Sequence, residues 1–346
     1  MARQVPLAAW AAAWRLSRTR SVHLPNHETF TALSCAFYPA MTPSHTLRPV
    51  DWLFALIVIG VWGVNFVVMK WGLQEVSPLL LCALRFAAAS LPFLLWVRPP
   101  VALPWRWLAA YGLVQGVGQF GLLFVGMQLG MPAGMASVVL QTQAFISLLL
   151  AAVLMHERPR SWQWLGLCIA TAGLVTIGSA HGDGPAQMSL VGFLCTVGSA
   201  AMWACGNLIT RHVAGYGRYE PVPFLVWTSV FPIVPLLCMS AWLEGGATQL
   251  WAQVQAMSWQ GWGAVAYLAF LSTLLGYGLW TRLLQRYPTS TVAPLSLLVP
   301  VVGLLSAMLL LSEFPSAMQW WGTAGVLLGM LVNQLGGGLL QRHDAR

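Results

Sequence analysis

Two short phrases carry the same pair of side chains in the same order. WGVN sets Trp62 ahead of Asn65, and WACGN sets Trp203 ahead of Asn207. An amide both donates and accepts, and an indole offers a flat face with one N–H donor, so two of each can hold a zwitterionic head group while carrying no net charge. The competing role is a hydrogen bond between apolar helices, worth about 0.6 kcal/mol on average. Gln115 and Gln119 stand one helical turn apart, and Gln141 is a partner for them. Gln143 diverges from Gln141 by roughly 200° on a helix, so only one of the two faces any single path, and Gln141 is favoured. Tyr277 and Ser296 add hydroxyl groups, with helix packing as the alternative job for each.

Charged candidates are few. Arg85 lies well inside an apolar run with no acidic neighbour in sequence. It reads either as a clamp for a substrate carboxylate or as a structural cation bonded to helix-end carbonyls. His156 and Glu157 are adjacent at the end of a run and are the candidates for coupling transport to protons. A solvated loop end explains them equally well. A carboxylate relay deep within the membrane, the usual sign of proton pumping, is missing, which leaves passive equilibration or proton binding near a rim. The glycines of GVGQFG, Gly116 to Gly121, match a dinucleotide fingerprint in spacing, but they lack the preceding strand and the later acidic residue. The six cysteines form no ligand spacing and read as small packing residues, so neither a metal nor a cofactor is expected.

What positions these groups is a series of apolar runs. The chain has 346 residues, 58% hydrophobic and 8% charged, against about 25% charged in a soluble domain. Ten runs, at 52–70, 78–97, 107–129, 133–155, 162–180, 189–210, 222–243, 259–283, 289–311 and 318–340, approach the roughly 20 residues that cross a bilayer. They are apolar all round, which fits helices far better than the polar/apolar alternation of a β-barrel, and lipid leaves the helix as the state that pairs every backbone group. The sequence therefore predicts an all-α integral membrane protein with the lipid bilayer as its main partner. The net charge of +8 is accordingly read as topology, not as nucleic-acid binding. Every lysine and arginine except Lys70 and Arg85 falls before the first run, after the last, or in or beside alternate connections, which predicts both termini in the cytoplasm. Residues 1–50 read as a disordered cytoplasmic tail, and Met41 is a second candidate start.

The chain also repeats itself. MHERPRSWQWLG, from Met155, returns as LSEFPSAMQWWG, from Leu311, 156 positions on, and Tyr111, Pro132 and Gly173 meet Tyr267, Pro288 and Gly329 at the same offset. Residues 51–180 and 189–340 thus form two five-helix repeats. Five is odd, so the second repeat enters the membrane from the opposite face, which predicts inverted halves around a central cavity and access that alternates. Prolines within the runs, Pro232, Pro294 and Pro300 among them, are expected to bend helices, and the GxxxG spacings of Gly112, Gly126 and Gly325 to bring helices close.

GVWGVNFVVMKWG, ALRF, GMPAGMASVVLQTQAF, WACGN and YPTSTVAPLSLLVPVVGL together resemble the EamA family of the drug/metabolite transporter superfamily, over roughly residues 50–335. The resemblance implies ten helices in two inverted bundles, the bacterial inner membrane, and export of small metabolites, most concretely cysteine-pathway amino acids such as O-acetylserine and cysteine. Sugars or drugs are the alternative cargo, and oligomeric state is left open. Family members commonly place an arginine after the glutamate of both phrases. Arg158 follows that pattern and Phe314 departs from it. Two other classes compete: a membrane enzyme acting on lipid, which would need a cluster of acids or histidines at one interface, and a scaffold, which leaves the paired Asn and Trp without purpose.

Overall fold

The computed structural model describes residues 47–101, 103–180, 188–217 and 219–341. The expected tail lies almost wholly outside this range. All regular elements among the described residues are helical. Eight are long and apolar enough to cross a membrane: α1 (Pro49–Gly72), α3 (Trp105–Gln128), α4 (Ala133–Leu154), α5 (Ser161–Ser179), α6 (Leu190–Tyr216), α7 (Pro221–Leu243), α8 (Trp259–Arg286) and α9 (Ala293–Leu311). Between α1 and α3 lies the shorter apolar α2 (Pro78–Phe93), and the last helix is α10 (Ala317–Gln341). Val175, Leu194, Val234 and Leu309 are more than half exposed on these helices. Apolar faces of this kind are stable against hydrocarbon rather than water.

Several elements differ from the sequence expectation for local reasons. The second run stops as a helix at Phe93, because Pro92 draws Leu91–Phe93 into a 3-10 turn. α7 breaks over residues 229–232 and restarts at Ile233. The connection after α7 holds an unforeseen helix, Gly246–Ala256, too polar to register as a membrane run. α3 and α8 each contain a π-helical stretch, Leu113–Gly121 and Tyr267–Gly276. Allowing for the offset of 156, the two stretches overlap, and such stretches concentrate at functional sites. The glycines of the false dinucleotide motif lie in the first of them, where a Cβ on Gly116 would fall 2.3 Å from the Pro232 ring.

The repeated phrase has a local physical meaning. His156 and Ser312, equivalent positions, both adopt left-handed backbone, with φ of 56° and 55°. Each follows its helix in a left-handed corner closed by a bond reaching six residues back: Glu157 N–H donates to Ala151 O at 3.4 Å, and Glu313 N–H donates to Ala307 O at 3.2 Å. The glutamines then start the next helix. Gln163 Oε1 accepts the Arg160 N–H at 2.8 Å, and Gln319 Oε1 accepts the Ser316 N–H at 2.9 Å, each satisfying a donor that the first helical turn leaves open.

The glycines of the phrase bring two helix backbones into contact. A Cβ on Gly166 would lie 2.7 Å from Gly329 O, and one on Gly322 would lie 2.7 Å from Gly173 O. These are two contacts related by the repeat, since Gly166 corresponds to Gly322 and Gly173 to Gly329. α5 and α10 therefore run antiparallel with backbones touching. Valine at Gly173 or Gly329 is expected to destabilise the protein by about 1–3 kcal/mol through overpacking. Alanine at Gly60, where a Cβ meets nothing within 4 Å, should be neutral or slightly stabilising. Thermal unfolding of the purified variants in detergent checks both.

Candidate functional site

A cavity of about 50 Å³ is lined from both repeats: Trp62, Asn65 and Met69 of α1, Gln119 and Phe120 of α3, Ser137 and Gln141 of α4, Trp203 of α6, Ser272 and Tyr277 of α8, and Val299 of α9. It has room for a few waters. Its wall is neutral. Trp62 tilts against Tyr277 and Trp280, with ring centroids 5.0 and 5.6 Å apart, and its Nε1 donates to Ser272 O at 3.1 Å. The Gly276 Cα makes room for that indole, since a Cβ there would come within 2.4 Å of Nε1.

Two amide oxygens on this wall, Asn65 Oδ1 and Gln119 Oε1, are buried with no hydrogen-bond partner among the described residues. A buried acceptor left unpaired costs about 1–3 kcal/mol, which points to a donor that arrives from outside the protein. Gln141 donates from Nε2 to Ser296 O at 3.3 Å. The Ser296 hydroxyl donates to Ala293 O of its own turn, so Ser296 contributes its carbonyl to the site.

The candidates named from sequence divide here. Trp62, Asn65, Gln119, Gln141, Trp203 and Tyr277 come together. Gln115 lies next to them, donating to the Tyr277 hydroxyl at 3.4 Å, in a second cavity of about 20 Å³ shared with Phe120, Thr273 and Tyr277. Asn207 does not join Asn65. Its Nδ2 donates to Gln143 Oε1 at 2.8 Å and to Ser147 Oγ at 3.1 Å, tying α6 to α4. Gln143, set aside on helical phase, is thus the partner of Asn207, while Gln141 reaches the cavity.

Arg85 is fully buried, and Nε and Nη2 both donate to Thr273 Oγ1, at 3.2 and 3.0 Å. Its expected partners at helix-end carbonyls are absent among the described residues. The guanidinium stacks over Phe120 at 3.8 Å. An arginine at the centre of a membrane helix costs about 2.5–3.5 kcal/mol on insertion scales, and a desolvated cation–π contact returns about 2 kcal/mol or more.

The acidic groups are occupied elsewhere. Glu244 Oε1 accepts the Leu79 N–H at 3.0 Å, Glu75 Oε2 accepts the Ser258 N–H at 3.0 Å, and Glu313 Oε2 accepts the Ala133 N–H at 2.7 Å, each at a helix start. Asp51 binds Arg286 and the Tyr287 hydroxyl. Glu157 pairs with Arg211 at 2.5 Å where both side chains are about half exposed, and His156 is exposed on its left-handed turn. The two repeat-related glutamates thus sit differently: Glu157 in solvent, Glu313 folded onto the start of α4. Burial pushes the Glu313 carboxyl above the usual carboxylate range, opposed by Lys70 and by the Gly134 and Ala133 N–H groups.

Sequence reasoning missed Phe120, Ser272 and Thr273. The two hydroxyls were visible as polar residues within an apolar run, whereas nothing marked one phenylalanine among many.

Residues 51–179 and 190–334 match the EamA-like transporter family. A probable amino-acid metabolite efflux pump of Salmonella typhimurium is 41% identical over 83% of this chain and 95% of its own length, and the protein of the same description from Escherichia coli K12 is 40% identical over the same shares. A solved crystal structure superposes with a TM-score of 0.54 at 19% identity, covering 87% of this chain and all of the other, which shows a shared fold.

The placements of the two asparagines and of Glu313 have measurable consequences. Asn207→Leu removes an α4–α6 tie and should lower the unfolding temperature, at about 1 kcal/mol, whereas Asn65→Leu removes an unpaired acceptor and should leave that temperature unchanged or raised. A carboxyl with a raised folded pKa favours the protonated form, so its contribution to stability is present below about pH 4.5 and is lost as pH rises through the folded value. Glu313→Gln should therefore flatten the fall in unfolding temperature as pH rises above about 4.5.

Proposed function

The chain belongs to the EamA-like transporter family, and from that premise we propose that it exports small metabolites bearing an amino-acid head group, most concretely O-acetylserine and cysteine. Export proceeds by alternating access across the bacterial inner membrane. The observation that carries this reading is the neutral cavity between the two matched segments, where Asn65 and Gln119 hold acceptors without donors. An ammonium brings three N–H donors and needs no carboxylate to receive it when amide oxygens are preorganised. The two relatives named as amino-acid metabolite efflux pumps support the same cargo class.

The transporter works as ten helices in two inverted five-helix repeats, 51–180 and 189–340, with both termini cytoplasmic. The reciprocal contacts of Gly166 with Gly329 and of Gly173 with Gly322 support a two-fold axis in the membrane plane. So does the repetition of the left-handed corners. The contrast between the exposed Glu157 and the half-buried Glu313 supports one state of a cycle, closed at the Glu313 end. In the opposite state the two glutamates exchange environments. His156 and Glu157 serve that corner as backbone turn and ion-pair partner, which leaves Glu313 as the better-placed rim group for a proton.

Purified protein in sealed vesicles, loaded with unlabelled substrate, tests this by counterflow of labelled O-acetylserine, cysteine and a panel of other amino acids, with and without a pH gradient. Uptake of the first two is expected, and Asn65→Leu and Gln119→Leu should each slow it roughly tenfold. Counterflow of none of the panel removes the amino-acid cargo. Dependence on the gradient separates proton-driven export from passive equilibration.

A further inference from the structure

Arg85 carries a permanent charge with no anion to balance it. Its two occupied nitrogens share one neutral hydroxyl, and that hydroxyl already donates to Leu268 O at 2.8 Å. Nη1 is buried with no partner among the described residues, and none of the described carboxylates forms an ion pair with Arg85. A buried cation in this condition favours any anion that reaches it, more strongly than water would, because the low surrounding dielectric magnifies the attraction. The guanidinium fork suits a carboxylate in particular.

A ring that lines the central cavity covers this charge, and Tyr277 is the other aromatic residue common to both cavities. Phe120 stacks on the guanidinium at 3.8 Å and lines both the central cavity and the smaller one that holds Gln115 and Thr273. The ring is carried by the π-helical stretch Leu113–Gly121. One residue of register change from π to α turns the following side chains by about 100°. A Cβ on Gly121, next to Phe120, would meet its neighbours at 3.8 Å, whereas Gly116 and Gly118 in the same stretch are tightly packed.

We propose that Arg85 is a carboxylate receptor and Phe120 the movable partition in front of it. When the ring swings aside the two cavities merge, and a substrate carboxylate takes the free Nη1 while its ammonium stays with Asn65 and Gln119. The proposal rests on the exporter reading for the identity of the cargo, but not for the existence of the anion site. It assigns the cargo class: molecules with a free carboxylate pass, and the same molecules with that group blocked do not.

Two measurements on the full-length protein test it. In detergent, acetate should raise the unfolding temperature while acetamide and chloride do not, and Arg85→Gln should abolish the acetate shift without itself lowering stability, because it removes an unbalanced charge. Equal stabilisation by chloride, or an acetate shift that survives in Arg85→Gln, overturns the carboxylate site whether or not amino acids are transported. In vesicles, cysteine should outcompete cysteine amide for labelled cysteine counterflow by roughly tenfold or more. Arg85→Gln should erase that preference, Arg85→Lys should retain part of it, and Phe120→Leu should enlarge it by uncovering the guanidinium. A preference unchanged in Arg85→Gln overturns the receptor role, and one unchanged in Phe120→Leu overturns the partition. Should wild-type protein bind acetate but move no amino acid, the cargo assignment falls and the site stands.

Discussion

The contact on which the architecture depends is backbone against backbone, where Gly166 of α5 meets Gly329 of α10 and Gly173 meets Gly322. Lipid gives no hydrophobic gain for pressing one apolar helix on another, so association relies on close van der Waals packing, and glycine permits the closest. Because the four residues are two pairs of repeat equivalents, one sequence phrase serves both sides of the seam. A change in the phrase is felt twice, which ties the two halves to a common geometry. From this seam the left-handed corners at His156 and Ser312 turn the chain back toward α4 and α9, and those helices bring Gln141 and Val299 to the cavity.

The second constraint is the cost of charge in a low-dielectric interior. Acidic side chains sit at helix ends, where Glu75, Glu244 and Glu313 satisfy N–H groups that no intrahelical partner reaches. The cavity is left with amides, hydroxyls and indoles. Such a site binds a zwitterion without having to match a fixed charge of its own. Arg85 is the exception, held by a threonine from the other half and covered by an aromatic face. A transporter must release what it binds, and a receptor charge that a ring can cover lets affinity be high in one conformation and low in another.

Much of this is legible in the sequence because membrane helices obey few rules. Run length locates the apolar helices to within a few residues, and the repeat with offset 156 identifies equivalent corners. The neutral polar residues in the runs include six that meet at one cavity. The misses share a physical cause, which is that a sequence reading assumes uniform helical phase. Gln141 and Gln143 separate by angle as expected, but the 3-10 turn Leu140–Thr142 and the π-helical stretches shift phase locally. No sequence rule says which of the two finds Asn207. The pairing of Asn65 with Asn207 fails for a related reason, since a structure in one state places equivalent residues in unequal surroundings. Gly246–Ala256 escapes notice because its glutamines, of which Gln253 accepts the Ser77 N–H at 2.9 Å, make it polar along its length.

Alternating access of this kind requires the two halves to lie upside down to each other, and side-specific chemical labelling tests that most directly. In a variant lacking the native cysteines, a single cysteine replaces Arg158 or its equivalent Phe314, which is 72% exposed. A membrane-impermeant maleimide applied to intact cells should label the cysteine at 314 and reach that at 158 only after permeabilisation. Labelling of both from the same side would contradict the inverted arrangement and the alternating cavity built on it.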